Sequence, residues 1–194
     1  MRRRKTRDGI EAVLFTPREQ RSFAHATAVL DELGMTIIDA RIVPLDNDRS
    51  IVTLVFMEQD PRVDSDEARI NKVRRALTRI LTAPSDQVRS VTRSRPRQAR
   101  MFTTPTTVDF GLTAAGDQTM LELQAADRPG LLSTIGQVFI EQGIDIEAAK
   151  IVTIGEKAED VFYVCRESGD ALDAAAQEKL GEALLERLGS GREE

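Results

Sequence analysis

The sequence has few of the residues that build disulfides and metal sites. Its 194 residues include one cysteine and one histidine, so an internal disulfide, a cysteine-rich zinc site and a pair of histidine ligands are all excluded. No apolar run approaches the roughly 18 residues that span a bilayer. We therefore expect no metal, no cofactor and no membrane contact.

Neither basic nor acidic side chains are in large excess. The 27 basic and 32 acidic side chains give a formal net charge of −5, whereas nucleic-acid-binding proteins usually carry a basic surface. Five arginines without an acid lie within 88–100, a pattern of either a DNA-binding tail or a solvated linker. No aromatic residue lies between them to stack on a base, which favours the linker. The basic start lacks the apolar segment of a secretory signal, so we expect a cytoplasmic protein that binds no nucleic acid.

The chain contains an internal repeat at a spacing of 109 residues. Without any gap, the same residue occurs in both copies at Val29/Val138, Glu32/Glu141, Gly34/Gly143, Ile37/Ile146, Ala40/Ala149, Ile42/Ile151, Val43/Val152, Val52/Val161 and Val55/Val164. Identities in one register over this length indicate two copies of one folding unit. We assign the first domain to 9–95, a basic linker to 96–104 and the second domain to 105–190.

Both copies show the same order of predicted elements, βαββα. The elements of the first copy are a strand at Ile10–Phe15, a helix ending at Gly34, strands at Thr36–Leu45 and Ile51–Met57, and a helix at Asp66–Leu81. Those of the second copy are a strand at Met120–Ala125, a helix ending at Gly143, strands at Asp145–Ile154 and Val161–Cys165, and a helix at Ala171–Leu188. This order is typical of a ferredoxin-like α+β unit, βαββαβ, with one antiparallel sheet and its helices on one face.

The fourth strand of this fold has a different predicted source in each copy. In the first copy, Gln87–Arg93 follows the second helix and supplies the strand. In the second copy, the residues after Leu188 are too polar to pair in a sheet. Thr107–Leu112 alternates between apolar and polar residues just before the first strand, so we predict that it occupies this edge. The predicted fold is two ferredoxin-like units in tandem, the second with its edge strand supplied from the N-terminal side.

The sequence shows no set of residues for catalysis. His25 has no catalytic partner in a recognisable pattern, and Cys165 lies in a predicted buried strand. No phosphate-binding glycine loop and no paired-aspartate metal cluster is evident. We therefore expect no enzymatic activity from this chain alone.

One segment, Asp127–Leu132, has the pattern of a small-ligand site between a strand and a helix. Pro129 fixes φ and Gly130 can take a positive φ, which gives a tight turn into the helix. The N–H groups and partial positive charge of a helix N-terminus stabilise a carboxylate. Asp127 could bind the ammonium group of the same ligand, so the pattern suits a free amino acid. The same residue types are also common in any strand-to-helix turn for local reasons.

The second copy resembles an ACT domain, a small-molecule-sensing unit of amino-acid metabolism. The resemblance lies in the strings AADRPGLLSTIGQVFIEQGIDIEAAKI and AEDVFYV. Together with the preceding PRQARMFTTPTTVDF, the chain resembles the C-terminal tandem ACT region of the family of bifunctional uridylyltransferase/uridylyl-removing enzymes. This likeness is strong from Pro96 onward and weaker over Asp8–Asp60.

The resemblance implies a regulatory, amino-acid-sensing function. It implies that the chain binds glutamine and controls the nucleotidyltransferase and phosphohydrolase domains of a larger enzyme that modifies the PII nitrogen-signalling protein. It implies ligand contacts from Asp127, Arg128, Pro129, Gly130, Leu131 and Leu132, completed by Ile144, Asp145 and Ile146 of a facing copy. ACT units are also expected to pair, either within one chain or between two chains.

The first copy departs from this ligand-binding pattern. Arg18-Glu19-Gln20-Arg21 stands where the second copy has Asp127–Gly130, so an arginine replaces the acid and no glycine is present. We expect one working ligand turn in each chain. The alternative is that the tandem units bind no metabolite and dock a protein partner such as PII.

Overall fold

The chain folds into strands and helices in the predicted order. A computed structural model describes residues 2–3, 9–17, 20–45, 49–58, 66–82, 104–114, 116, 118–155 and 157–189. Its strands are β1 (Arg2–Arg3), β2 (Ile10–Pro17), β3 (Met35–Leu45), β4 (Arg49–Glu58), β5 (Thr107–Leu112), β6 (Thr119–Ala126), β7 (Ile144–Ile154) and β8 (Lys157–Arg166). Its helices are α1 (Gln20–Glu32), α2 (Asp66–Thr82), α3 (Leu131–Gln142) and α4 (Ala174–Gly189).

All eight strands form one antiparallel sheet, in the order β1-β2-β4-β3-β7-β8-β6-β5. We call β1–β4 with α1 and α2 the first unit, and β5–β8 with α3 and α4 the second unit. Each half of the sheet has the strand order of a ferredoxin-like unit, so the predicted α+β fold is confirmed. β5 pairs with β6 from Thr107 opposite Gln124 to Leu112 opposite Thr119. The predicted edge strand from the N-terminal side of the second unit is therefore confirmed as well.

The matching edge of the first unit is occupied in part by β1. Arg2 and Arg3 pair with Glu11 and Ile10 of β2. This is the edge that the sequence pattern assigns to a strand at Gln87–Arg93. Residues 83–103 lie outside the described part of the chain, so that assignment stays a prediction.

The two units join through β3 and β7, the edge strands of their respective halves, so the pairing lies within one chain. β3 and β7 pair at Asp39–Val152, Ala40–Ile151 and Arg41–Lys150. Since Arg41 and Lys150 occupy equivalent positions in the repeat, the junction has approximate twofold symmetry. Both strands also carry a bulge at the same repeat position, between Ile37 and Asp39 and between Ile146 and Ala148. The long β-branched strand predicted at Thr36–Leu45 is thus covered by the other copy, as an otherwise open sheet edge requires.

One hydrophobic core runs beneath the helices of both units. Phe162 of β8 makes edge-to-face contacts with Phe139 of α3 at 5.3 Å and with Phe23 of α1 at 6.3 Å, measured between ring centroids. All three rings are at most 1% exposed. Because Phe23 belongs to the first unit and the other two rings to the second, the core is continuous across the junction.

Helices α1 and α3 cross closely at this junction. A Cβ atom built on Gly136 of α3 would lie 2.7 Å from the Cβ atom of Ala24 on α1. Carbon atoms in contact are normally about 3.5–4.0 Å apart, so any larger residue at position 136 forces the helices to separate. The small side chains at these two positions therefore set the distance between the units.

The helix ends follow the predicted capping residues. Gly34 and Gly143 have φ angles of 77° and 64°, the left-handed backbone conformation that glycine supplies after a helix. Asp173 precedes α4 and accepts a hydrogen bond from the N–H of Ala176 at 2.8 Å. This bond, with the nearby Arg166 guanidinium, holds the pKa of the Asp173 carboxyl below its usual value. Asp173 is thus the N-cap of α4.

Candidate functional site

The Asp127–Leu132 segment forms the tight turn that the sequence predicts. β6 ends at Ala126, and Gly130 takes φ 80° and ψ 1° immediately before α3 begins. The N–H of Leu131 donates to the carbonyl of Arg128 at 3.1 Å and closes the turn. The hydroxyl of Ser133 and the N–H of Thr134 both donate to the carbonyl of Gly130, at 3.0 and 2.9 Å. A β-branched residue would be strained at this positive φ, which explains the glycine.

The turn of the second unit faces the C-terminal end of helix α1 in the first unit. The backbone N–H of Gly130 donates to Oδ2 of Asp31 at 2.9 Å. Asp31 lies in the last turn of α1, and its carboxylate therefore reaches the N-terminus of α3 across the junction. The backbone of the turn thus donates to a carboxylate of the protein itself, and the ligand site predicted from the sequence stays a prediction.

The other residues predicted at the turn differ in exposure. Asp127, Arg128 and Pro129 are half-buried, whereas Leu131 and Leu132 are buried in the core. The Arg128 guanidinium donates to the carbonyl of Arg187 on α4 at 3.4 Å, which ties the turn to the last helix. The turn therefore offers a polar rim over an apolar floor.

Ile144, Asp145 and Ile146 lie at the opposite end of α3 from the turn. The helix has 12 residues, which corresponds to a length of about 18 Å. Gly130 directly precedes the helix and Ile144 follows it, so the structure does not bring these predicted residues to the turn of their own unit. The repeat offset of 109 maps them onto Met35–Ile37, which follow Asp31 along the first unit. The carbonyl of Ile37 accepts a hydrogen bond from Thr153 at 3.4 Å, so this strand start adjoins the second unit.

A buried acid close to the turn, Asp160, is not among the site residues predicted from the sequence. Asp160 of β8 is 1% exposed, and neither of its carboxylate oxygens has a hydrogen-bond partner among the described residues. It shares the helix-facing side of β8 with Phe162. Ala126, at the start of the turn, pairs with Lys157 only three residues earlier on this strand. Asp160 therefore lies near the turn on the inner face of the sheet.

Burial dominates the electrostatics of this acid. It raises the pKa of the Asp160 carboxyl from 3.8 to about 7, and the negative charge of Asp127 acts in the same direction. The Val152 backbone opposes the shift, although it does not reach hydrogen-bond geometry. An unpaired buried carboxylate costs much more than a neutral acid, so Asp160 takes up a proton near neutral pH. The protonated carboxyl could donate a hydrogen bond, and the ionised carboxylate could attract a cation.

Sequence reasoning misses Asp160 because charged residues obscure the start of its strand. The pattern predicts a strand only at Val161–Cys165, whereas β8 begins at Lys157 and includes Asp160. The alternation of Ala158, Asp160, Phe162 and Val164 is the signal that places the acid on the inner face.

The described residues contain no recognisable catalytic or metal centre. No group of three or more histidine, cysteine, aspartate or glutamate side chains among them could hold a metal ion. His25 is buried on α1, and the thiol of Cys165 is buried and hydrogen-bonds with Glu147 at 3.3 Å. None of the described helices has the length and apolar character needed to cross a membrane.

The first unit lacks the features of the second unit's turn in its sequence. Arg21 stands at the position of Gly130, and the predicted departures at Arg18 and Glu19 lie outside the described residues. The expectation of one working turn in each chain stays a prediction.

Comparison with known proteins agrees with this architecture. Residues 119–182 match the ACT domain family. The chain is 34% identical over 186 residues to the bifunctional uridylyltransferase/uridylyl-removing enzyme of Acinetobacter baumannii, covering 96% of this chain and 21% of that protein. It is 32% identical over 181 residues to the protein of the same name from Psychrobacter sp. (strain PRwf-1), covering 93% of this chain and 20% of that protein.

The chain thus spans about one fifth of the length of the curated relatives that it matches. The matched part is the ACT regulatory region and excludes the catalytic domains of those enzymes. The second unit therefore matches the ACT domain family, and the chain is similar along almost its whole length to the C-terminal region of the bifunctional uridylyltransferase/uridylyl-removing enzymes.

Proposed function

We propose that this chain is an amino-acid-sensing regulatory module that binds glutamine at the turn of its second unit. Binding would control the uridylyltransferase and uridylyl-removing activities of a larger nitrogen-signalling enzyme. The observation that carries the proposal is the 2.9 Å hydrogen bond from the Gly130 N–H to a carboxylate oxygen. In this bond the backbone of the turn donates to a carboxylate at the positive end of a helix, which is the interaction that a ligand carboxylate would make.

The remaining groups of a free amino acid also find complementary partners here. Asp127 carries a negative charge for the ligand ammonium, and the positive φ of Gly130 brings the backbone close to the ligand. Arg128 and Pro129 would lie beside the ligand, and the buried Leu131 and Leu132 would lie beneath it. Within the chain, Met35–Ile37 of the first unit would supply the facing strand that Ile144–Ile146 were predicted to supply.

Regulation sets limits on the affinity and the mechanism. A sensor works best near the prevailing concentration of its metabolite, so we expect a dissociation constant of about 1 mM, or about −4 kcal/mol. Glutamine must also bind one arrangement of the whole enzyme more tightly than another. The site lies at the junction of two units, and a change in their contact is a physical route for this preference.

Calorimetric titration with a panel of amino acids tests the proposal. We expect heat with glutamine and none with the other members of the panel. Gly130→Val should abolish binding, because valine is strained at φ 80° and its side chain would occupy the approach to the backbone. Asp127→Asn should weaken binding by roughly tenfold or more, since a hydrogen bond to a charged group contributes about 1.5–3 kcal/mol.

Asp109→Asn provides a matched control for the loss of charge, because Asp109 is exposed at the sheet edge on β5. It should leave the affinity unchanged. Binding by Gly130→Val with unchanged affinity would place the ligand elsewhere and refute the proposed site.

A protein-docking function is the second candidate, and an apolar row on the open face of the sheet favours it. Phe15, Ile51 and Val43 lie side by side on β2, β4 and β3. Phe15 is 61% exposed and Val43 is 45% exposed, and contiguous exposed apolar side chains are typical of interaction surfaces. Heat from no amino acid, together with binding of the PII protein by the same sample, would favour docking over sensing.

A further inference from the structure

We infer that Asp31 of the first unit is an internal competitor for the carboxylate position of the second unit's turn. This inference rests on the proposed function and adds a residue that neither the turn motif nor the ACT match includes. It means that glutamine must displace a side chain of the neighbouring unit in order to bind.

The position of Asp31 is poorly explained by the needs of its own helix. It lies in the last turn of α1, where the partial negative charge of the helix end disfavours an acid. No basic residue in that turn compensates for it. The same carboxylate is favourable at the N-terminus of α3, because the Gly130 N–H donates to it there at 2.9 Å. The contact between the units is therefore a favourable interaction for an acid that the end of its own helix disfavours.

A ligand carboxylate and the Asp31 carboxylate exclude each other at this N–H. Both need the same donor, and two negative groups in one half-buried turn repel each other. The bond joins residues 99 positions apart in the sequence and belonging to different units. Its replacement by a ligand removes one tie between α1 and the turn, so occupancy of the site is coupled to the contact between the units.

Only one of the two units supplies such a competing carboxylate. The repeat offset places Ile140 at the position equivalent to Asp31, and isoleucine offers no carboxylate to the turn of the first unit. The competitor is thus present only opposite the turn that keeps its glycine.

Asp31→Ala tests the inference through glutamine affinity. Removal of the competitor should tighten binding by about 10- to 100-fold, which is the equivalent of one hydrogen bond to a charged group. Asp31→Asn should give a smaller increase in affinity, since the amide oxygen can still accept from Gly130 without a full charge. Glu32→Ala removes an exposed acid one residue away and should leave the affinity unchanged. Unchanged or weaker binding by Asp31→Ala overturns the inference, while binding by the wild-type chain keeps the proposed function.

A second measurement needs no amino-acid ligand. The amide resonance of Gly130 is followed by NMR while sodium acetate is added, with sodium chloride at equal ionic strength as the control. Acetate should shift this resonance in Asp31→Ala at concentrations that leave the wild-type resonance unchanged. An identical response in both chains overturns the inference. If no amino acid binds to any variant, the proposed function fails, and the acetate titration still decides the role of Asp31.

Discussion

Asp160→Asn should stabilise the protein at alkaline pH and have little stabilising effect at acid pH. The wild-type side chain is 1% exposed and its oxygens have no described partner, so the folded protein resists its ionisation. The pKa of the Asp160 carboxyl rises from 3.8 to about 7 on folding. Between these values the unfolded chain has released its proton while the folded chain retains it. Stability therefore falls as the pH rises from about 4 to 7, and it is lowest above the folded pKa.

The size of the effect follows from the same two pKa values. One pKa unit corresponds to about 1.36 kcal/mol, so a shift of this size costs the folded state about 4 kcal/mol at pH 8. At pH 4 the cost is below about 1 kcal/mol. Asparagine has nearly the same shape and cannot ionise, so the variant avoids this pH-dependent cost. Its unpaired amide carries a burial penalty of its own, but that penalty is the same at both pH values.

Urea unfolding of both proteins at pH 4 and pH 8 measures the difference directly. The free energy of unfolding of Asp160→Asn, relative to wild type, should be about 3–4 kcal/mol more favourable at pH 8 than at pH 4. Asp109→Asn makes the same chemical change at an exposed position and should show no comparable difference between the two pH values. If the relative stability of Asp160→Asn is equal at both pH values, Asp160 is not a buried, unpaired acid and the argument is wrong.

Three further predictions concern the junction and the edge of the sheet. In urea unfolding, Gly136→Val should lower the free energy of unfolding by about 1–3 kcal/mol, because the valine side chain overlaps Ala24. Gly189→Ala is the control and should have little effect, because its methyl group enters open space. Lys150→Glu should raise the thermal stability by about 0.2–1 kcal/mol, since it turns a like-charged pair with Arg41 into an opposite-charged one, and high salt should reduce the gain. Deletion of β5 should lower the melting temperature of the chain because it exposes the edge of β6, and an unchanged melting temperature would contradict the assigned strand topology.

Local patterns in the sequence predict much of the fold. The 109-residue repeat predicts equivalent strands at β3 and β7, and the long apolar strand in each copy indicates an edge that needs a partner. Pro129 and Gly130 predict the tight turn before α3, because their backbone preferences are local properties. These features depend on residues close together in the chain, which is why the sequence alone suffices.

Two acids outside the turn segment, Asp31 and Asp160, could not be found in this way. Asp31 contacts a residue 99 positions away, and no local pattern indicates which of the many acids on helices crosses a junction between units. Asp160 lies in a charged stretch that resembles a turn, and only pairing with β6 and β7 shows that it belongs to the inner face of a strand. Long-range packing decides both positions.

The symmetric junction has a consequence for the origin of the chain. A strand and a helix from each unit meet about an axis between Arg41 and Lys150, which is the arrangement of a homodimer whose two subunits have become covalently joined. In a homodimer every substitution appears on both sides of the interface at once. After gene fusion the two halves can change separately, and the repeat counterparts of Ala24 and Gly136 are already different residues, Ser133 and Thr27. Fusion thus permits one turn to keep its glycine while the other acquires Arg21, an asymmetry that two identical subunits could not evolve.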